Sequence, residues 1–289
     1  MTALIIGANG QDGFYLNQLL LEKGIEVIGI SRTGNFLNID IADFAVIKET
    51  ISKYQPQYIF HLAANSTTSH HGLFDNHKAI STGTINILET VKEVSPHTKV
   101  FLSGSGLQFI NKELPIKETD EFEASSAYSV ARIHSVYTAR YYRTLGLKIY
   151  VGYFFNHESP RRTERHISKM IAEAVKRIRN GSNEIIEIGD MTVKKEWTFA
   201  GDIMKGVLTL IEQENIFETV IGSGIGYSIE EYIQKCFQFI GKESEPFVKQ
   251  KENFTAQYRQ LISDPSTIFS LGWKPETDFY GLVKLMLTE

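Results

Sequence analysis

Two constellations in this chain have residue types and spacings able to do chemistry. The first is Gly7-Ala8-Asn9-Gly10-Gln11-Asp12-Gly13, a G-x-x-G-x-x-G spacing. Glycines let a backbone turn tightly and approach a pyrophosphate, whose charge then lies at a helix N-terminus where N–H groups are free. A glycine triplet alone also fits a plain turn; its place between the strand-like run Ala3 to Ile6 and a helical pattern favours the phosphate reading. The second is Tyr128 and Arg132, four apart in a helical stretch opening at Ser125-Ser126, so both side chains share one face. A phenol can exchange the proton of an alcohol undergoing oxidation. With an ordinary pKa of about 10, only ~0.1% of a tyrosine is ionised at pH 7, which gives a neighbouring cation its importance. As a bare pattern the pair is also an ordinary surface contact on a packing helix.

A further signal lies where the second strand-like run ends in Ile30-Ser31-Arg32-Thr33, with no carboxylate placed to accept hydrogen bonds from an adenosine ribose. A guanidinium there pairs with a 2'-phosphate, so NADP is expected rather than NAD. Asp40-Ile41 follows later and could face the adenine, although an Asp in a loop is often a turn former.

The elements that must position these residues alternate in the first ninety positions between short apolar runs and helical patterns, the signature of parallel strands joined by crossover helices. Ala3 to Ile6, Glu26 to Ile30, Tyr58 to Leu62 and Lys99 to Ser103 read as strands. Leu16, Leu19 and Leu20 give one helix its apolar face, and Ile80 to Val94 reads as another helix. Beyond Tyr150 the rhythm loosens. The expected fold is α/β, a Rossmann-type doubly wound parallel sheet over residues 1–155, with a smaller, mainly substrate-binding portion over 156–289 that returns some segments to the sheet.

Composition limits the remaining classes. At 289 residues with 42% hydrophobic content, the chain can build a real core, and disorder is excluded as its main state. A net charge of −4 argues against a general nucleic-acid binder. The seven Lys and Arg between Arg161 and Arg179 accompany apolar residues at helical spacing, which reads as the solvated face of an amphipathic helix. Cys236 is the single cysteine, and His70, His71 and His77 lack partners at metal-binding spacing, so no metal is expected. No run approaches the roughly 18 apolar residues of a membrane span. The expected address is the cytoplasm.

The glycine loop, Tyr128 with a cation four later, and Asn156-His157-Glu158-Ser159-Pro160-Arg161-Arg162 together resemble the extended short-chain dehydrogenase/reductases, and within them the GDP-mannose 4,6-dehydratase family. The likeness runs over nearly the whole chain, including Glu196-Trp197 and Leu271-Gly272-Trp273-Lys274-Pro275. It implies NADP(H), a nucleotide-diphosphate sugar, GDP-linked, oxidised at C4, and assembly into homodimers or homotetramers through the helices Ile80 to Val94 and Ala127 to Tyr142. The positions matching cofactor contacts are Gly7 to Gly13, Ser31, Arg32, Asp40, Ile41 and Leu62-Ala63-Ala64-Asn65-Ser66, with Tyr128, Arg132, His157 and Arg162. Asn156, Lys169 and Lys195 match positions that hold the sugar nucleotide, Lys195 replacing an arginine.

The departures bear on the reaction. Ser105 falls where the resemblance implies the catalytic hydroxyl, and the glutamate that removes the C5 proton in a dehydratase is replaced by Leu107 or, with the alignment shifted by one, Gly106. Neither can accept a proton. Arg132 replaces a lysine, and Phe254-Thr255-Ala256-Gln257 replaces the family's nucleotide-binding pattern. The leading expectation is therefore oxidation or reduction at C4 by Ser105, Tyr128 and Arg132. A 4,6-dehydratase, a C4 epimerase and a binding protein without turnover remain as alternatives.

Overall fold

The sequence folds, in a computed structural model that describes residues 1–65 and 67–288, around six parallel strands. These are β1 (Thr2–Ile6), β2 (Glu26–Ile30), β3 (Tyr58–His61), β4 (Lys99–Ser105), β5 (Ile149–Phe154) and a last strand, Glu218–Ile221. Their order, from one edge, is Glu218–Ile221, β5, β4, β3, β1, β2. The central strands are buried nearly along their length, which is why they read as continuous apolar runs rather than alternating ones. Between β1 and β3 the order reverses direction, opening a crevice beyond the carboxyl ends of those strands.

Helices cover both faces. α1 (Gln11–Glu22) packs on one side; α2 (Phe44–Tyr54) lies on the other, followed by a short α3 (Leu73–Asn76), α4 (Gly83–Val94) and α5 (Ala127–Thr144). The later α6 (Ile167–Arg179) buries Ile171, Ala174, Val175 and Ile178 in a separate apolar cluster with α8, whereas α7 (Ala200–Ile211) returns to the sheet beside α1; α8 spans Ile229–Phe239. No helix among the described residues is long and apolar enough to cross a membrane.

Three local departures from the sequence reading have physical causes. β4 continues to Ser105 because β5 pairs with it as far as Phe154. The expected helix at Ile80 begins instead as a π-helical turn, His77–Thr82, whose Ala79 carbonyl lies 3.1 Å from Nε2 of the buried His61. Arg161 and Arg162 precede α6 in a turn closed by Arg162 N–H on Ser159 O and His166 N–H on Thr163 O, both 3.0 Å.

Charge fixes the returning strand. Glu218 accepts from Arg140 Nη2 at 2.7 Å and Tyr153 Oη at 2.6 Å, and also from Arg143. Burial alone would raise its pKa, but these donors hold it at about 2, below the ordinary 4.5. The stabilisation is complete above the ordinary value and disappears as pH falls toward about 2. Glu218→Gln is expected to remove up to about 3 kcal/mol at neutral pH and to flatten stability below pH 4.5, as read by urea unfolding across that range. An unchanged acid limb would contradict the assignment.

Candidate functional site

β1 hands over to α1 through Gly7, whose φ of +97° is left-handed and whose added Cβ would lie 2.9 Å from Ala63 N. Glycine is required there by conformation and by the close approach of the segment after β3. Gly10 precedes α1 without a side-chain cap, leaving the first N–H groups of the helix for a ligand. From this turn a cavity of about 560 Å³ extends to the end of β2. Gly7, Asn9 and Gly10 form one wall, Leu62, Ala63 and Ala64 another, and Ser31, Arg32, Asp40 and Ile41 the far end. Asn9 Nδ2 donates to Thr33 Oγ1 at 2.8 Å, tying the turn to the β2 end. Asp40 faces Lys78 at 2.6 Å, and this contact, with the Ala42 N–H, holds its carboxyl below the usual value. A helix N-terminus at one end and the Arg32 guanidinium at the other fit a dinucleotide.

A second cavity of about 340 Å³ shares Gly7, Gly10, Leu62 and Ala64 with the first. Ser126 caps α5 by accepting from Ser129 N–H at 3.1 Å, and the helix then turns Tyr128 and Arg132 onto β4, both buried. Arg132 Nη1 donates to the Ser103 carbonyl and, at 2.8 Å, to Ser103 Oγ. Its guanidinium carbon is 5.1 Å from the Tyr128 ring centre, so the fixed charge meets the ring face. Arg132 is thus fastened to β4 while still lining the cavity. Burial, and then the Arg132 charge, push the neighbouring His61 down to about 4, so the positive charge resides on Arg132 alone at neutral pH. Ser105 Oγ accepts from Leu107 N–H at 3.2 Å, leaving its hydroxyl proton to donate into the cavity it lines.

The absence of a base at the expected place is filled space. An added Cβ on Gly106 would meet the Phe155 ring at 2.9 Å, and one on Gly104 would meet Tyr153 at 2.5 Å. Leu107 packs in the cluster of Tyr128, Ile80 and Ala131. Among the described residues lining this cavity, the carboxylates are Asp12 and Glu158. Asp12 pairs with His157 Nε2 at 2.9 Å, and Glu158 accepts from Ser168 Oγ at 2.6 Å and Arg162 Nε at 3.2 Å, with Lys195 Nζ at 3.8 Å. Burial opposes ionisation of both, but His157, Arg162 and Gln11 together outweigh it for Asp12, and Arg162, Lys195, Ser168 and His157 together for Glu158; each is held below its ordinary value. The reciprocal effect of Asp12 raises His157 against its own burial.

Gln11, Gly13, Asn156, Arg162 and Lys195 also line the second cavity. Asn156 Oδ1 is buried without a hydrogen-bond partner, as a group awaiting a donor would be. Lys195 lies 4.4 Å from the Trp197 ring centre, and burial lowers its pKa despite Glu158. Other expected residues fall elsewhere. Lys169 is paired with Glu173 at 2.7 Å and Ala8 is buried beneath the glycine turn; neither lines either cavity. Asn65 lies toward Gly72, outside both linings, and Ser66 is outside the described residues. Lining residues that escaped the sequence reading include Ser103 and His166 in the second cavity and Lys78 in the first. Ser103 was detectable, two positions before Ser105 on one strand and therefore on the same face.

A family model described as GDP-mannose 4,6 dehydratase matches residues 4–286. GDP-mannose 4,6 dehydratase 2 of Arabidopsis thaliana is 29% identical, covering 99% of this chain and 86% of the relative; the GDP-mannose 4,6-dehydratase of Vibrio cholerae serotype O1 is 28% identical, covering 99% and 92%. Among solved structures, Thermotoga maritima UDP-glucose 4-epimerase with UDP-glucose superposes with a TM-score of 0.88 at 22% identity, covering 99% and 97%. RMD from Pseudomonas aeruginosa with NADPH gives 0.84 at 19%, covering 99% and 96%. These likenesses establish the shared fold. The chain belongs to the GDP-mannose 4,6 dehydratase family.

If Phe155 fills the place of a side chain at 106, Gly106→Ala will lower stability by about 1–3 kcal/mol, and by less in a Phe155→Leu background. A double-mutant cycle in urea checks this; equal costs in both backgrounds would show that the ring does not occupy that space.

Proposed function

We propose that this member of the GDP-mannose 4,6 dehydratase family transfers hydride between NADP(H) and C4 of a GDP-linked hexose. The observation that carries the reading is that Ser105, Tyr128 and Arg132 line the second cavity together, while the carboxylates lining that cavity, Asp12 and Glu158, are already paired with His157 and Arg162. Arg32 at the far end of the first cavity favours NADP, because a guanidinium suits a 2'-phosphate.

A bound nicotinamide supplies the hydride acceptor or donor. The Ser105 hydroxyl donates to the sugar O4 and holds C4 in the second cavity. Tyr128 takes the O4 proton during oxidation and returns it during reduction. Arg132, fixed by Ser103, sets a permanent positive charge against the ring that carries the transient negative charge. Asn156 accepts from a sugar hydroxyl, and Arg162 and Lys195 offer positive charge to the diphosphate. Self-association would use α4 and α5, where Ile85, Val130, Tyr137 and Tyr141 are exposed.

The second reading is 4,6-dehydration, favoured by the family model and by curated relatives that carry that name. It requires a C5 base, and neither Asp12 nor Glu158 is free to serve. Incubation with GDP-mannose and NADP⁺, and separately with a 4-keto-6-deoxy sugar nucleotide and NADPH, distinguishes the readings. NADPH consumption in the second mixture supports C4 transfer; 4-keto-6-deoxy product in the first supports dehydration.

Tyr128→Phe is expected to reduce kcat by about 10²–10⁴-fold while leaving the NADP⁺ Kd within about twofold. Unchanged turnover would refute the proton-transfer role. Arg32→Ala should weaken NADP⁺ by at least about tenfold, equivalent to about 1.4 kcal/mol, with a much smaller effect on NAD⁺. Equal losses in titrations with the two cofactors would exclude the 2'-phosphate contact.

A further inference from the structure

We propose that His166 is the proton acceptor for C5 of a 4-keto hexose bound in the second cavity, supplying from another element the base missing after β4. The inference rests on the placement of C4 at Ser105 and Tyr128 proposed above.

His166 immediately precedes α6 in extended conformation. Its N–H donates to Thr163 O and its carbonyl accepts from Met170 N–H, both at 3.0 Å, so its backbone is fixed. Its ring makes no hydrogen bond among the described residues, yet it is half-buried and lines the same cavity as Ser105, Tyr128 and Lys195. The other basic candidates are constrained: His157 is bonded to Asp12 and the Phe155 carbonyl, and Lys195 lies between Glu158 and the Trp197 ring. Burial, followed by the charge of Arg162, holds His166 below the ordinary histidine value, leaving a neutral imidazole able to take a proton. Ser105, Tyr128 and His166 line one cavity of about 340 Å³, so a hexose bound with C4 at Ser105 and Tyr128 shares that space with the imidazole.

In the step, the C5–H bond breaks and its electron pair enters the C4–C5 bond, converting the C4 ketone to an enolate. Ser105 and Tyr128 hold the resulting oxyanion. The proton passes to an imidazole nitrogen, forming imidazolium. Its return restores the ketone, and in D₂O it returns as deuterium. NADP⁺ is the only oxidant required, and only to form the ketone.

The test supplies a 4-keto-6-deoxy GDP-hexose in D₂O to the full chain with NADP⁺ and follows deuterium at C5 by NMR, while NADPH consumption in a parallel reaction reports hydride transfer to C4. Wild type is expected to exchange C5 well above the buffer rate. The ratio of exchange to hydride transfer should fall by about 100-fold in His166→Ala and His166→Gln, and free imidazole should restore exchange in His166→Ala. Normal exchange in both variants, or loss only in Lys195→Met, would overturn the assignment. Hydride transfer without wild-type exchange would overturn it while leaving the C4 reading intact. Bound NADP⁺ with neither exchange nor hydride transfer would defeat both.

Discussion

The buried guanidinium of Arg132 is the constraint on which this site depends. A cation removed from water needs partners, and it finds them in the carbonyl and hydroxyl of Ser103. Those bonds fasten α5 to β4 and locate Tyr128, one turn earlier, against the carboxyl end of the sheet. The same charge helps to keep His61 neutral beneath it. The π-helical turn at His77–Thr82 belongs to this arrangement, since His61 meets the Ala79 carbonyl and Lys78 enters the first cavity. Charge placement and chain path are therefore coupled: the tyrosine is positioned by what its neighbour requires.

A second network joins the sheet to the later part of the chain. Asp12, in the first turn of α1, meets His157; Gln11 Oε1 accepts from Ser159 Oγ at 2.8 Å; and Glu158 gathers Arg162, Ser168 and Lys195. The segment after β5 is thereby held over the glycine turn. The pairing of Asp12 with His157, whose pKa the Asp12 charge raises, draws that carboxylate toward the imidazole at the place where a phosphate would bind. The chemical consequence is that two conspicuous carboxylates serve as scaffold rather than as bases.

Much of the sheet was legible because parallel strands covered on both faces are uninterrupted apolar runs, as in β1 and β4. The glycine turn and the Tyr128–Arg132 spacing were legible because each follows from local geometry. What remained hidden depends on how each residue is packed and paired, which residue type and spacing alone do not settle. The alternatives of Gly106 and Leu107 could not be separated by spacing, yet the ring of Phe155, just beyond β5 and nearly fifty residues later, fills the space beside Gly106. Lys169 is held by Glu173 one helical turn later, a partner that the i, i+4 spacing already offered. His166 carried no local signal, because its position depends on the turn closed by Ser159 and Thr163.

The most direct test follows the hydrogen on C4. GDP-mannose carrying deuterium at C4 is incubated with the full chain and a limiting amount of NADP⁺, and the products are examined by NMR and mass spectrometry. Hydride transfer confined to C4 predicts deuterium in the nicotinamide of NADPH, or returned to C4. Deuterium at C6 of a 4-keto-6-deoxy product would contradict it and establish the elimination that defines the family's dehydratases.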